Sequence, residues 1–160
     1  MNGDDTATNT NTNTNTNTNT GDDSPLSDKV LEYDRIVRRL VPEAKEREFG
    51  SADWAPLADL VAVDEFVRVG IWREVMDWHE YTEFLTRFAT SKGFDSNLRR
   101  ISELPGLVYF EIEERHIKGE TVNLVNSMNV FEFNEEGKIR HLDVYVQGHV
   151  EASVPIEVPH

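Results

Sequence analysis

From Leu26 to Val41, apolar residues recur at three- and four-residue spacing (Leu26, Val30, Tyr33, Val37, Leu40, Val41), with Glu32, Arg35, Arg38 and Arg39 between them. That period predicts an amphipathic helix with one face turned to a core. Pro42 lacks an amide proton and disfavours helical backbone at Val41, so a kink or restart is expected there before Gly50 ends the helix. A second, short helix is expected over Trp54 to Ala62, with Asp53 as its N-cap and Pro56 in the first turn, where a missing donor is tolerated. Phe66 to Val69 and Arg73 to Met76 read as short strands around a turn at Gly70. Asp77 opens a third helix, Glu80 completes a capping box, and Tyr81, Phe84, Leu85 and Phe88 form the buried stripe.

Past Ser91-Lys92-Gly93 the chain reads as sheet. Strands are expected at about 95–102 and 107–117, split by Pro105-Gly106, and Lys118-Gly119-Glu120 makes the next turn. The hairpin Asn123 to Gln147 follows. Its first arm carries Val125, Met128, Val130, Phe131 and Phe133; its second carries Ile139, Leu142, Val144 and Val146, and Asn134 to Gly137 form the turn between them. Three helices followed by an antiparallel meander define an α+β domain over residues 25–148. Residues 149–160 form a C-terminal extension.

Residues 1–24 are different in kind. Asn and Thr alternate from Thr8 to Thr20 with no apolar parity, so the segment has nothing to bury against its ordering entropy and is expected to be a disordered tail. The 160 residues suit one domain that buries roughly two-thirds of its unfolded surface. Acids outnumber bases 30 to 16, a net charge of −14, and the tail carries four of the acids and no base. The resulting field makes nucleic acid and anionic membranes poor partners. With no cysteine, disulfides, thiolate metal sites and cysteine nucleophiles are excluded. The lack of a long apolar run or secretory pattern points to a cytoplasmic protein that does not engage a membrane.

The candidate chemistry lies in the sheet. Asn129 interrupts a well-patterned strand, and a carboxamide there must bond locally, face solvent or point into a cavity. Glu113-Glu114-Arg115-His116 is the one dense run of titratable groups, and strand alternation sends either Glu113 with Arg115 or Glu114 with His116 inward. The apolar parity of Val108, Phe110 and Ile112 favours Glu114 and His116. An inward Glu beside a His would give a general base tunable near neutral pH. His141, Asp143 and Tyr145 share the opposite face of the last strand and suit a subunit interface. No His pair has metal-ligand spacing and no glycine-rich phosphate loop occurs, so neither metal nor cofactor is expected.

The segments Ala52 to Leu60 (ADWAPLADL), Val63 to Val69 (VDEFVRV) and Asn129 to Ile139 (NVFEFNEEGKI) resemble the nuclear transport factor 2-like superfamily, across about residues 28–147. Its members include SnoaL-like polyketide cyclases, ketosteroid isomerases and limonene epoxide hydrolases. The resemblance implies a cone, in which a strongly curved antiparallel sheet wraps over three N-terminal helices around an apolar pocket, commonly in a homodimer. Val69, Phe131, Leu142, Val144 and Val146 would line the pocket. Asn129 falls where the isomerases hold a protonated aspartic acid as oxyanion donor, and an amide donates there at any pH. The isomerases' base position is Val69 or Gly70, and their tyrosine position is near Lys45. Arg115 matches the arginine of the epoxide hydrolases, which favours Glu113 with Arg115 as the inward pair, but their aspartate positions become Ile117 and Val144. The histidine and aspartate common in SnoaL-like proteins become Leu142 and Val144.

Two functions follow. One is an isomerase, cyclase or hydrolase that moves protons on a small apolar, oxygen-bearing molecule, with Asn129 polarising the oxygen. The other is a non-catalytic domain that binds a small ligand or dimerises. A carboxyl group within reach of the space facing Asn129 separates them.

Overall fold

The structure, a computed structural model, describes residues 24–91 and 93–148. The expected tail, Ser24 apart, and the expected C-terminal extension lie outside the described residues.

Helix α1 spans Leu26–Glu43 and buries Val30, Tyr33, Ile36, Val37, Leu40 and Val41. Pro25 precedes it and offers no side-chain cap. Its open N–H groups are taken instead by a carboxylate from the sheet: Leu26 and Ser27 donate to Glu103 at 3.2 and 2.9 Å. The expected break at Pro42 is not seen. Pro42 sits in the last turn, where little helix remains to be disrupted, and the chain leaves through a turn at 44–46 without restarting.

The second helix is shorter than expected. A 3₁₀ turn, Ser51–Trp54, leads into α2, Ala55–Ala58. Asp53 caps the 3₁₀ turn, accepting the Gly50 N–H at 2.9 Å while Arg47 donates to its other oxygen at 2.7 Å. Sheet pairing then captures the backbone that would have continued the helix. Ile139 donates to Leu60 and Ala62 donates to Ile139, each at 2.9 Å.

Strands β1 (Val67–Val69) and β2 (Val75–Met76) flank a turn in which Arg73 is left-handed at φ 63°. Helix α3, Trp78–Ser91, starts with the expected capping box: Glu80 N–H donates to Asp77 at 2.9 Å and Asp77 N–H to Glu80 at 3.0 Å. Of its expected stripe, Tyr81 and Leu85 are buried, whereas Phe84 and Phe88 are only partly covered. The meander is β3 (Gly93–Leu104), β4 (Leu107–Lys118), β5 (Thr121–Phe133) and β6 (Ile139–Gln147). Its turns use Gly106 and Gly137, both at φ 71°, which a side chain would disfavour.

These strands form one open, curved sheet in the order β2-β1-β6-β5-β4-β3. The meander is antiparallel, as its pattern implies, but β1 runs parallel to β6, so the sheet is mixed. Bulges at Leu98/Arg100 and Glu132/Phe133 increase local twist and curvature. The three helices fill the concave side, giving an α+β cone. No helix among the described residues is long and apolar enough to cross a membrane.

The core runs from α1 to the sheet, with Trp54, Leu57, Phe131, Ile139 and Leu142 almost fully enclosed. Trp54 packs edge-on against Phe49 and donates its indole N–H to Thr86 at 3.0 Å. Replacing Trp54 by alanine removes both and leaves a cavity, so urea unfolding should show a loss of about 3–5 kcal/mol; a loss under about 1 kcal/mol would show that the site collapses freely.

Candidate functional site

At the open end of the cone lies a cavity of ≈ 620 Å³, walled by Phe84, Phe88, Phe94, Phe110 and Phe131 among others. The β4/β5 register settles what faces it. Phe110 pairs with Asn129, Ile112 with Ser127 and Glu114 with Val125, and paired residues share a face. The even residues of β4 therefore point inward with the odd residues of β5.

Glu114, His116 and Asn129 all line the cavity. They are joined through Ser127, which is 1% exposed. Asn129 donates from Nδ2 to Ser127 Oγ at 3.0 Å, and Ser127 donates to Glu114 Oε1 in a short hydrogen bond. His116 Nε2 lies 2.8 Å from Glu114 Oε2. Three groups thus hold one carboxylate, directly or in relay. The other ring nitrogen of His116, Nδ1, is buried without a partner among the described residues. The ring is clamped by Phe88 and Phe94, whose centroids lie 5.6 and 5.9 Å away.

Other polar groups reach the same space. Asp34, on α1, accepts from Ser96 at 3.0 Å and from Arg38 Nε at 2.9 Å. Burial raises its pKa above the ordinary carboxylate value, the Ser96 and Arg38 contacts oppose this, and the Glu114 charge adds to it. Tyr33 and Tyr81 share a short hydroxyl hydrogen bond, and burial pushes both phenols above the usual tyrosine range. Arg68 of β1, only 6% exposed, also lines the cavity. At the mouth, Ile71 and the largely exposed Trp72 are carried on the β1–β2 turn.

The remaining expected residues divide. Phe131, Val144 and Val146 line the cavity; Leu142 is packed into the core, and Val69 lies outside the lining. Val69 pairs with Asp143 on the outer parity of β6. Glu113 and Arg115 lie on the outer face, and Arg115 is exposed, so the inward pairing favoured by likeness to the epoxide hydrolases is corrected by strand parity. Ser127, Asp34 and Arg68 were not among the expected residues. Among the described residues no group of three or more His, Cys, Asp or Glu could hold a metal ion.

The architecture recurs in solved structures. SalBIII, an epoxide hydrolase/cyclase-like enzyme with a role in pyran ring formation in the polyether salinomycin, superposes with a TM-score of 0.59 at 15% identity, over 76% of this chain and 90% of that one. An LEH-like epoxide hydrolase from M. tuberculosis gives 0.52 at 19% identity, over 73% and 84%. An NTF2-like protein of unknown function from Cytophaga hutchinsonii gives 0.54 at 12% identity, over 76% and 89%. The fold is nuclear transport factor 2-like. Compared as sequence, the chain matches no protein-family model and no curated protein.

Within this nuclear transport factor 2-like cone, of the positions matched to the family's catalytic groups only Asn129 belongs to the polar cluster. Lys45 is exposed, Ile117 is 40% exposed, and Val144 contributes only an apolar wall. The carboxylate facing the cavity beside Asn129 comes instead from β4.

Asp34 makes a pH-dependent contribution whose sign follows from its raised pKa. The folded state holds its proton more tightly than the unfolded chain. The stability so contributed is present below the unfolded value of about 3.9 and is lost as pH rises through the folded one. Urea unfolding of Asp34→Asn should therefore gain on wild type as pH rises through that window; a flat or falling difference would refute the assignment.

Proposed function

We propose that this protein is a proton-transfer enzyme of the isomerase, cyclase or hydrolase type, acting on a small apolar, oxygen-bearing molecule held in the cavity. The observation that carries this reading is the hydrogen-bonded chain from Asn129 through Ser127 to Glu114, with His116 on the far oxygen. Glu114 is the general base. It takes a proton from a carbon next to a carbonyl, or from a hydroxyl or water that then attacks an electrophilic carbon. Asn129 donates one N–H to Ser127 and turns the other toward the oxygen on which negative charge grows. His116 and Ser127 are positioning residues that fix the carboxylate. The aromatic wall excludes water and strengthens each of these interactions.

The epoxide hydrolase and epoxide hydrolase/cyclase-like enzymes share the fold, which makes acid–base work on oxygen-bearing rings a reasonable use of this cavity. The polar chain favours catalysis over passive binding, because a storage pocket gains nothing from a buried carboxylate whose desolvation must be offset. Wild type and variants should be assayed on a panel of enones and epoxides by product chromatography. Glu114→Gln should lower turnover by about 10²- to 10⁴-fold, the usual scale of general acid–base catalysis. Asn129→Leu should lower it by about 10²- to 10³-fold. Wild-type rates in Glu114→Gln would remove the base. Binding by wild type without any turnover would leave the non-catalytic reading.

We further propose a homodimer through the outer face of the sheet. His141 and Asp143, 2.9 Å apart, and Tyr145, 60% exposed, lie there. Tyr145 pairs with Met128, and Asp143 with Val130, which faces Tyr109, giving a continuous part-apolar surface. Sedimentation at micromolar protein should give a dimer mass for wild type and a monomer mass for Tyr145→Asp. A monomeric wild type would overturn the interface.

A further inference from the structure

Arg68 is a cation in the wall of the cavity with most of its donors uncommitted. Its side chain is 8% exposed. One terminal nitrogen, Nη1, makes both polar contacts that reach it, to Glu74 at 3.3 Å and to the sulfur of Met76 at 3.8 Å. Its Cζ lies 4.7 Å from the Phe84 ring centroid and 5.3 Å from that of Tyr81. Aromatic faces favour the charge but take none of the in-plane N–H bonds. The edge formed by Nε and Nη2 has no protein partner among the described residues. That edge is the side-on fork that a carboxylate meets with two parallel hydrogen bonds.

Glu74 does not compete well for it. Its carboxylate also accepts the Trp72 N–H at 2.9 Å, which ties it to the mouth turn. Burial works to raise its pKa, but hydrogen bonds from backbone N–H groups and from Arg68 outweigh this and hold it below the usual range. The pair is seated over Gly70, where a Cβ would collide with the Glu74 carboxylate and lie 2.6 Å from Arg68 Nη1. The absence of a side chain at Gly70 is thus what lets Arg68 and Glu74 meet beside the cavity. Asp34 and Glu114 face the same space and disfavour a doubly charged guest.

We propose that the cavity takes an amphiphilic monocarboxylic acid, its apolar body against the phenylalanine wall and its carboxylate on the Nε/Nη2 edge of Arg68. This rests on the cavity being the ligand site, as in the function proposed above, and adds the class of molecule. The Glu114 chain then meets the body of the ligand rather than its charged end.

Calorimetric titration with naphthaleneacetate and with its methyl ester tests this without turnover. Wild type should bind the acid about tenfold or more tightly than the ester, the scale of a charge-assisted pair. Arg68→Met should abolish that preference while leaving ester affinity within about threefold of wild type, since mainly apolar contacts remain. Glu74→Gln, which removes the negative charge beside Arg68, should increase the preference and serves as the test should Arg68→Met fail to fold. Equal binding of acid and ester by wild type, a preference that survives Arg68→Met, or a weakened one in Glu74→Gln would each overturn the anion site and leave the proton-transfer reading standing. No binding of either compound would overturn both.

Discussion

The β4/β5 register is the constraint on which the site depends. Strands have a period of two, so pairing Ile112 with Ser127 commits Phe110, Glu114 and His116 to the concave face together with Asn129 and Phe131. The large apolar residues enforce this choice. Val108, Phe110, Ile112, Phe131 and Phe133 are all buried, and a slip by one residue would expose them all at once. The polar chain is thus held in place by the burial of its apolar neighbours. Its own hydrogen bonds link its members there but would not suffice to select the register.

Much of this was legible in the residues. The three- and four-residue spacing in α1 and α3, the Asp77/Glu80 box and the glycine turns of the meander each correspond to an element of the structure. The parity of Val108, Phe110 and Ile112 pointed to Glu114 and His116. What was not legible was tertiary. The second helix is cut short because Ile139, about eighty residues away, pairs with the backbone at Leu60 and Ala62. Pro42 breaks nothing because it falls in a final turn.

The unforeseen polar residues had weak signals. Asp34 stands four residues after Val30 and three before Val37, on the apolar stripe, where an acid is out of place. Arg68 shares strand parity with the buried Phe66. Ser127 sits between Val125 and Asn129 on the inward parity, but serine is common in strands and carries little signal alone. Each becomes meaningful only when α1, β1 and β5 converge on one cavity. Likeness to the epoxide hydrolases misdirected the choice of inward pair, because at low identity a diffuse match fixes a fold more firmly than it fixes a residue.

The carboxylate of Glu103 at the start of α1 has a further consequence. The helix receives its cap from a strand 77 residues later, so its first turn is completed only after β3 has docked. Helix α1 therefore cannot complete its first turn from local sequence alone. As it leaves the ribosome, this segment must wait with an apolar flank uncovered until the sheet has been synthesised, a long-range dependence that couples early and late parts of the polypeptide into one cooperative unit.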